Sequence, residues 1–243
     1  MEDTLLLVGH GSISEKAAEQ VLRGYRDFVA LNSSYKVVEV GAILGEPELD
    51  TVITKLHGHV TVLPVLMCNR HLAGDKLREI LEGSKELEER ISFKILGPVG
   101  EDGQFIKTLE RIIEEALASA GFKQKETVVN LVAHGSKRRP ASRLMTRHLE
   151  SKLLAQKLYL DVRSSFLEEA PYFGDIAKLV KSPTLSIGLF VGGGTHAMKD
   201  IKRIMQGAPN PNHIYGGTVG DFDCFKDLLL EVAEESYRKT KRG

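Results

Sequence analysis

The chain has 243 residues, enough to bury a sizeable core as one or two domains. Lysine plus arginine and aspartate plus glutamate each number 33, so the formal net charge is zero, and no basic excess marks a nucleic-acid surface; no nucleic-acid partner is expected. Cys68 and Cys224 are the only cysteines and form no CxxC pair, which excludes a cysteine-rich metal site and a disulfide framework and fits a cytoplasmic setting. The apolar run at 5–8 is too short for a signal peptide or a membrane span, so no membrane partner is expected either.

In chain order, strand-like and helix-like patterns alternate. Residues 5–9 are continuously apolar, as expected of a strand covered on both faces. Ser12 and Glu15 suit a capping box for a helix to about residue 31, with Leu22, Tyr25 and Val29 at helical spacing. Residues 36–43 predict a second strand, and Pro47 suits the first turn of a short helix ending near 56. A third strand is predicted at 60–67, a helix from about 73, a fourth strand at 94–96 and a turn at 97–100. Phe105, Leu109, Ile112, Ile113 and Leu117 then make one helix face. The polar stretch 121–126 reads as a linker between domains.

The pattern then restarts. A strand at 127–133 leads to a helix from Pro140 to about 156 with Leu144, Met145, Leu149 and Leu153 inward. Strands at 158–167 and 185–191 alternate with helices at 172–180 and 197–205. A short strand at 214–215, a turn at 217–220 that echoes 97–100, and a terminal helix carrying Leu228, Leu229, Val232 and Ala233 complete the chain. The order is that of an α/β fold made of two duplicated domains, 1–120 and 127–243, each a parallel sheet with helices on both faces, flavodoxin-like in pattern. In such sheets ligands bind beyond the carboxyl ends of the strands, and a ligand cleft between the two halves is expected.

The chemistry-bearing residues fall at those ends. Leu7-Val8-Gly9-His10-Gly11-Ser12 is repeated as Leu131-Val132-Ala133-His134-Gly135-Ser136, and each copy meets a second histidine, His71 or His196, after 61 and 62 residues. A single His-Gly-Ser turn is commonplace; two, each with a matched second histidine, point to function. Imidazole has a reference pKa of about 6.5 and, when neutral, binds divalent first-row metals. Glu168, at the end of the middle strand of the second half, would complete a set with His134 and His196. In the first half Gly45 is expected in the place of Glu168, with Glu46 the nearest carboxylate. Gly192-Gly193-Gly194 is either a tight turn or an approach for a flat ligand. Arg70, Lys137, Arg138, Arg139 and Arg143 are candidate partners for an acidic substrate. His57, His59 and His213 read as loop histidines and His148 as a helix-surface residue. No GxxxxGK[ST], HExxH or GxSxG motif is present, and GxGxxG spacing is lacking.

On the segments LLLVGHGS, VLPVLMCNRHLAGD, ILGPVGED, VAHGSKRRPAS, SSFLEEAP and GLFVGGGTHAMKDI, the chain resembles the class II chelatases of tetrapyrrole synthesis, and most of all the sirohydrochlorin cobalto-/ferrochelatases. The resemblance implies two chelatase-like α/β domains that insert Co²⁺ or Fe²⁺ into a sirohydrochlorin-type ring on the way to cobalamin or siroheme; Ni²⁺, which imidazole also binds, is a further candidate. The expected partners are therefore a small-molecule tetrapyrrole and a divalent metal, with no cofactor beyond that metal substrate. The family's histidine motifs fall on His10, His71, His134 and His196, as metal-binding and catalytic residues, and its glutamate falls on Glu168. The alternatives are a non-catalytic tetrapyrrole or metal carrier on the same scaffold, or a mononucleotide binder using Ser12 and Ser136.

Overall fold

The computed structural model describes residues 3–12, 16–68, 72–83, 90–192, 195–207 and 210–242, with only the backbone of 72–73 and 195–198. Two four-stranded parallel sheets are formed. The first contains β1 (Thr4–Ser12), β2 (Val37–Gly45), β3 (Gly58–Pro64) and β4 (Ile91–Ile95) in the order β2-β1-β3-β4. The second contains β5 (Val128–Ala133), β6 (Asp161–Phe166), β7 (Thr184–Gly188) and β8 (His213–Thr218) in the order β6-β5-β7-β8. The central strands are buried on both faces: Leu5, Leu6, Leu7 and Val8 are 0% exposed, and all of β5 is buried. That is why β1 reads as an unbroken apolar run, and β5 as one interrupted only by buried Asn130, rather than as alternating patterns.

The helices are α1 (Lys16–Asn32), α2 (Leu49–Ile53), α3 (Leu77–Leu81, preceded by a π-helical turn at Leu72–Lys76), α4 (Phe105–Ala120), α5 (Ala141–Ala155), α6 (Phe173–Leu179), α7 (Thr195–Gly207) and α8 (Asp223–Arg242). The echoed turns are both single 3₁₀ turns, Val99–Glu101 and Val219–Asp221, and dock alike: the Gly100 amide donates to Leu66 O, the Gly220 amide to Phe190 O. Of the capping box, Ser12 is the last residue of β1 and Glu15 lies outside the described residues. Pro47 does not enter the short helix. It precedes α2, follows a cis peptide bond, and its carbonyl accepts the Ala42 amide at 2.8 Å.

The inward face of α5 differs from expectation. Ser142, Thr146, Leu149 and Leu153 are buried, whereas Leu144 is 62% exposed. Small polar residues face the sheet here, the Thr146 hydroxyl donating to Ser142 O within the helix at 2.8 Å. His213 is not a loop histidine either. It opens β8, is 5% exposed, and its Nε2 lies 2.7 Å from Ser186 Oγ, which accepts from Asn130 Nδ2 at 2.9 Å. Strand pairing places Asn130, Ser186 and His213 where the first sheet carries Leu6, Val62 and Phe93, so a polar triplet replaces an apolar one.

The compact units cut across the repeat. One comprises Met1–Gly103 with Phe225–Gly243, the other Gln104–Cys224. The last helix of each repeat thus belongs to the unit of the other repeat's sheet, and 121–126, expected as a linker, lies inside the second unit. In the first unit α8 is held by Phe225 against Tyr25 (ring centroids 5.6 Å apart) and by Tyr237 edge-on to Tyr35 (5.0 Å). In the second, α4 buries Phe105, Leu109, Ile112, Ile113 and Leu117 and pairs Glu110 with Gln156.

Candidate active site

The carboxyl edge of the second sheet gathers the polar residues. Past the end of β5 and β6 the two segments stay in step: the Leu167 amide donates to Ala133 O at 3.1 Å and the Glu168 amide to His134 O at 3.0 Å. This brings the side chains together, with His134 Nδ1 3.5 Å from Glu168 Oε1. The separation exceeds a normal hydrogen bond but is within ion-pair reach, and both side chains are about half exposed, so a ligand can approach them. From the β7 side, Phe190 sets its ring edge-on to His134 with centroids 6.4 Å apart. Phe190 is fixed there because the Leu189 amide donates to Val132 O at 2.7 Å.

The turn after His134 is shaped by a second glutamate. Gly135 has φ +74°, in the left-handed region, and a Cβ on it would come within 2.9 Å of Glu169 Cγ and Phe166 Cβ. Glu169 is 6% exposed. Its Oε1 accepts the Ser136 amide at 2.8 Å and its Oε2 pairs with Arg143 Nη1. Arg143, expected to face an acidic substrate, is therefore an internal partner of Glu169. Ser136 Oγ accepts the amides of Arg138 and Arg139 at 3.3 Å each, and the side chains of Lys137, Arg138 and Arg139 are exposed.

His196 stands in the first turn of α7, the next helix in the chain after β7; its side chain is outside what is described. Sheet order nevertheless puts Glu168, His134 and His196 after three adjacent strands, β6, β5 and β7. His71, Arg70, Gly193 and Gly194 lie outside the described residues. His10 is exposed near the end of β1, and its Nδ1 lies 3.0 Å from Gly11 O. A carbonyl only accepts, so Nδ1 is the donor in this contact.

The first half matches the second in a register other than the one expected from sequence. Val8↔Gly41 and Gly9↔Ala42 correspond to Val132↔Ser165 and Ala133↔Phe166, each 124 residues on. The following turns agree: the Phe166 amide donates to Pro171 O at 2.9 Å as Ala42 does to Pro47 O, and both prolines follow cis bonds. Leu44, not Gly45, therefore occupies the place of Glu168. Gly45 takes that of Glu169, and exposed Glu46 that of Ala170. Where Glu169 closes the second turn with its carboxylate, the first half extends the strand pairing through Gly11↔Leu44 and Ser12↔Gly45.

Of the remaining histidines, His148 is exposed on α5 and His57 precedes β3. His59 lies within β3 rather than in a loop, with Nδ1 3.1 Å from Ser92 Oγ. Glu169 and Phe190 are the site residues that the sequence reading passed over. Both stood inside the quoted motifs, but nothing in their spacing distinguished a turn-closing carboxylate or a wall from ordinary loop and strand residues. Among the described residues no group of three or more His, Cys, Asp or Glu is placed to hold a metal, and no helix is long and apolar enough to cross a membrane.

Residues 4–116 match the family model described as CbiX. No curated protein matches the chain in sequence. Among solved structures, SirB from Bacillus subtilis with Fe³⁺ is similar at 20% identity and TM-score 0.77 over 95% of this chain and 94% of that one. The sirohydrochlorin chelatase SirB of the subspecies spizizenii in complex with cobalt gives 19% and 0.74 over 97% and 95%. CbiX, described as the terminal enzyme for biosynthesis of siroheme in denitrifying bacteria, gives 18% and 0.77 over 94% and 96%. The fold is that of the class II chelatases.

Proposed function

With a CbiX match over the first half and the chelatase fold over nearly the whole chain as premises, we propose that this protein inserts a divalent metal, Co²⁺ or Fe²⁺, into a sirohydrochlorin-type tetrapyrrole, and that its second sheet carries the reaction. The observation that carries the assignment to the second half is the pairing of His134 with Glu168, which the first half replaces by His10 and Leu44.

The carboxylate opposite Nδ1 favours the tautomer with a proton on Nδ1, which turns the Nε2 lone pair outward toward a metal. His134 and His196 together would bind the metal substrate while leaving positions open for the macrocycle nitrogens to displace water. Two inner pyrrole N–H protons must leave as the metal enters. Glu168, half exposed and beside His134, is the acceptor, a general-base contribution of roughly 10²–10⁴-fold. Phe190 offers an apolar edge to the flat ring, and the exposed Lys137, Arg138 and Arg139 can pair with its peripheral carboxylates. This chemistry needs neither a nucleotide nor a redox group, and a cytoplasmic enzyme fits it.

The test is absorbance of sirohydrochlorin mixed with the purified protein and Co²⁺, Fe²⁺ or Ni²⁺. Many turnovers per protein molecule are expected. Stoichiometric binding of ring or metal without turnover would make the protein a carrier instead.

A further inference from the structure

Glu169 and Arg143 have no place in the chemistry just described, yet Glu169 is among the most deeply buried charged side chains of the second unit. We infer that this pair is a positioning device: it fixes the turn 134–139 and so sets the direction of the His134 ring and of the three cations that follow it. The inference rests on the chelatase reading for its consequence, but not for its geometry.

The argument starts from adjacency. Glu168 and Glu169 are consecutive residues of the bend that follows β6, and their side chains take different partners. They divide their work: one aims its carboxylate at the His134 ring at the open edge, the other turns inward under the loop. There, Oε1 takes the Ser136 amide at 2.8 Å and Oε2 takes Arg143. The backbone of the same dipeptide holds the other end, the Glu168 amide donating to His134 O at 3.0 Å. His134 is thus clamped on both sides by two consecutive residues. Gly135 lets the turn lie directly on the Glu169 side chain, since a Cβ there would meet Cγ at 2.9 Å. Ser136 Oγ then passes the constraint on, accepting the Arg138 and Arg139 amides. The buried carboxylate is balanced by one guanidinium and one amide, and Arg143, 44% exposed, can reach water if the carboxylate is removed. The first half has no equivalent pair: Gly45 stands at the Glu169 position and strand pairing at Ser12 does the holding.

The experiment is steady-state metal insertion by Glu169→Ala, Glu169→Gln and Arg143→Met in the full chain, with Co²⁺ and sirohydrochlorin varied separately. Glu169→Ala is expected to raise the KM for Co²⁺ and lower kcat, each about tenfold, because misplacing a ligand by about 1 Å is enough for such losses. A merely structural defect would lower the active fraction and leave that KM unchanged. Glu169→Gln keeps an acceptor for Ser136 and should recover most of the loss. Arg143→Met should add nothing to Glu169→Gln, the mark of a shared function. In the substrate-free protein the Ser136 amide proton resonance should move upfield in Glu169→Ala but little in Glu169→Gln. That resonance is read without turnover, so a wild type that inserts no metal would overturn the chelatase reading and leave the clamp to be decided by the amide. Wild-type KM and kcat in Glu169→Ala, or an unmoved Ser136 amide, would overturn the inference.

Discussion

Leu44 and Glu168 occupy the same place in the two sheets, each two residues beyond a strand pair related by the 124-residue repeat. The position that carries a carboxylate beside the strand-end histidine in the second half carries an alkyl side chain in the first. Both halves share the frame and the strand-end histidine, and among the described residues a carboxylate lies within ion-pair reach of His134 and none of His10. The asymmetry predicts that His134→Ala and Glu168→Gln each lower Co²⁺ insertion about 10²-fold or more, while His10→Ala stays near the wild-type rate. Both His134 and Glu168 are half exposed, so their unfolding midpoints should barely move. Insertion assays alongside thermal melts check both halves of the statement; loss in His10→Ala with His134→Ala intact would move the chemistry to the first sheet.

Gly135→Ala should be costly for two reasons acting at one atom. The residue has φ +74°, and the added methyl would press on Glu169 and Phe166. Destabilisation of about 1–3 kcal/mol is expected from the strain alone, with loss of insertion activity as the turn gives way. Gly103→Ala is the control, since a Cβ there meets nothing within 4 Å. Urea unfolding of the two variants should separate cleanly, and equal midpoints would mean that the turn relaxes without cost.

The parts of the fold legible in the sequence are those that burial writes into it. Strands covered on both faces are largely apolar without alternation, so β1, β3, β5 and β7 were recognisable despite buried Thr61, Asn130 and Ser186, although apolar runs overshoot their ends: Val65, Leu66 and Met67 continue past β3, with only the Val65 amide still reaching Val8 O. The pairing of His134 with Glu168 was legible because both sit at strand ends in the duplicated pattern. Their counterpart in the first half was not. Matching acid to acid sets Glu46 against Glu169 and Gly45 against Glu168, whereas strand register and the turn hydrogen bonds shift the pairing by one residue. Nor could the partner of α4 be read. Its apolar face says that it packs, not against which sheet, and it lies in the unit of the second.

The revised face of α5 gives a stability test. Leu149 and Leu153 are 5% and 0% exposed and Leu144 is 62% exposed. Leu149→Ala and Leu153→Ala should each cost about 2–5 kcal/mol, and Leu144→Ala no more than about 0.5 kcal/mol. Chemical denaturation of the three variants decides it; a large loss at Leu144 would restore the face expected from apolar spacing alone.

The last prediction concerns pH and the polar triplet that replaces Leu6, Val62 and Phe93. Ser186 Oγ accepts the Asn130 amide and can donate its own hydrogen to His213 Nε2, an arrangement that requires that nitrogen unprotonated. Burial, working against the pull of the Ala177 backbone carbonyl as an acceptor, holds the His213 pKa below its ordinary value, and Phe173 closes over the ring edge at 5.9 Å. The folded protein thus binds a proton at His213 less readily than the unfolded chain. Stability from this site is complete above the unfolded pKa of about 6.5 and is lost as pH falls from there toward the depressed folded value, at up to about 1.4 kcal/mol per pH unit. His213→Phe, which installs the residue found at the matching place in the first sheet, should remove this component while Asn130 still satisfies Ser186. Urea midpoints at pH 7.5, 6.5 and 5.5 should fall more steeply in the wild type than in His213→Phe. Parallel profiles would mean that protonating His213 costs the fold nothing.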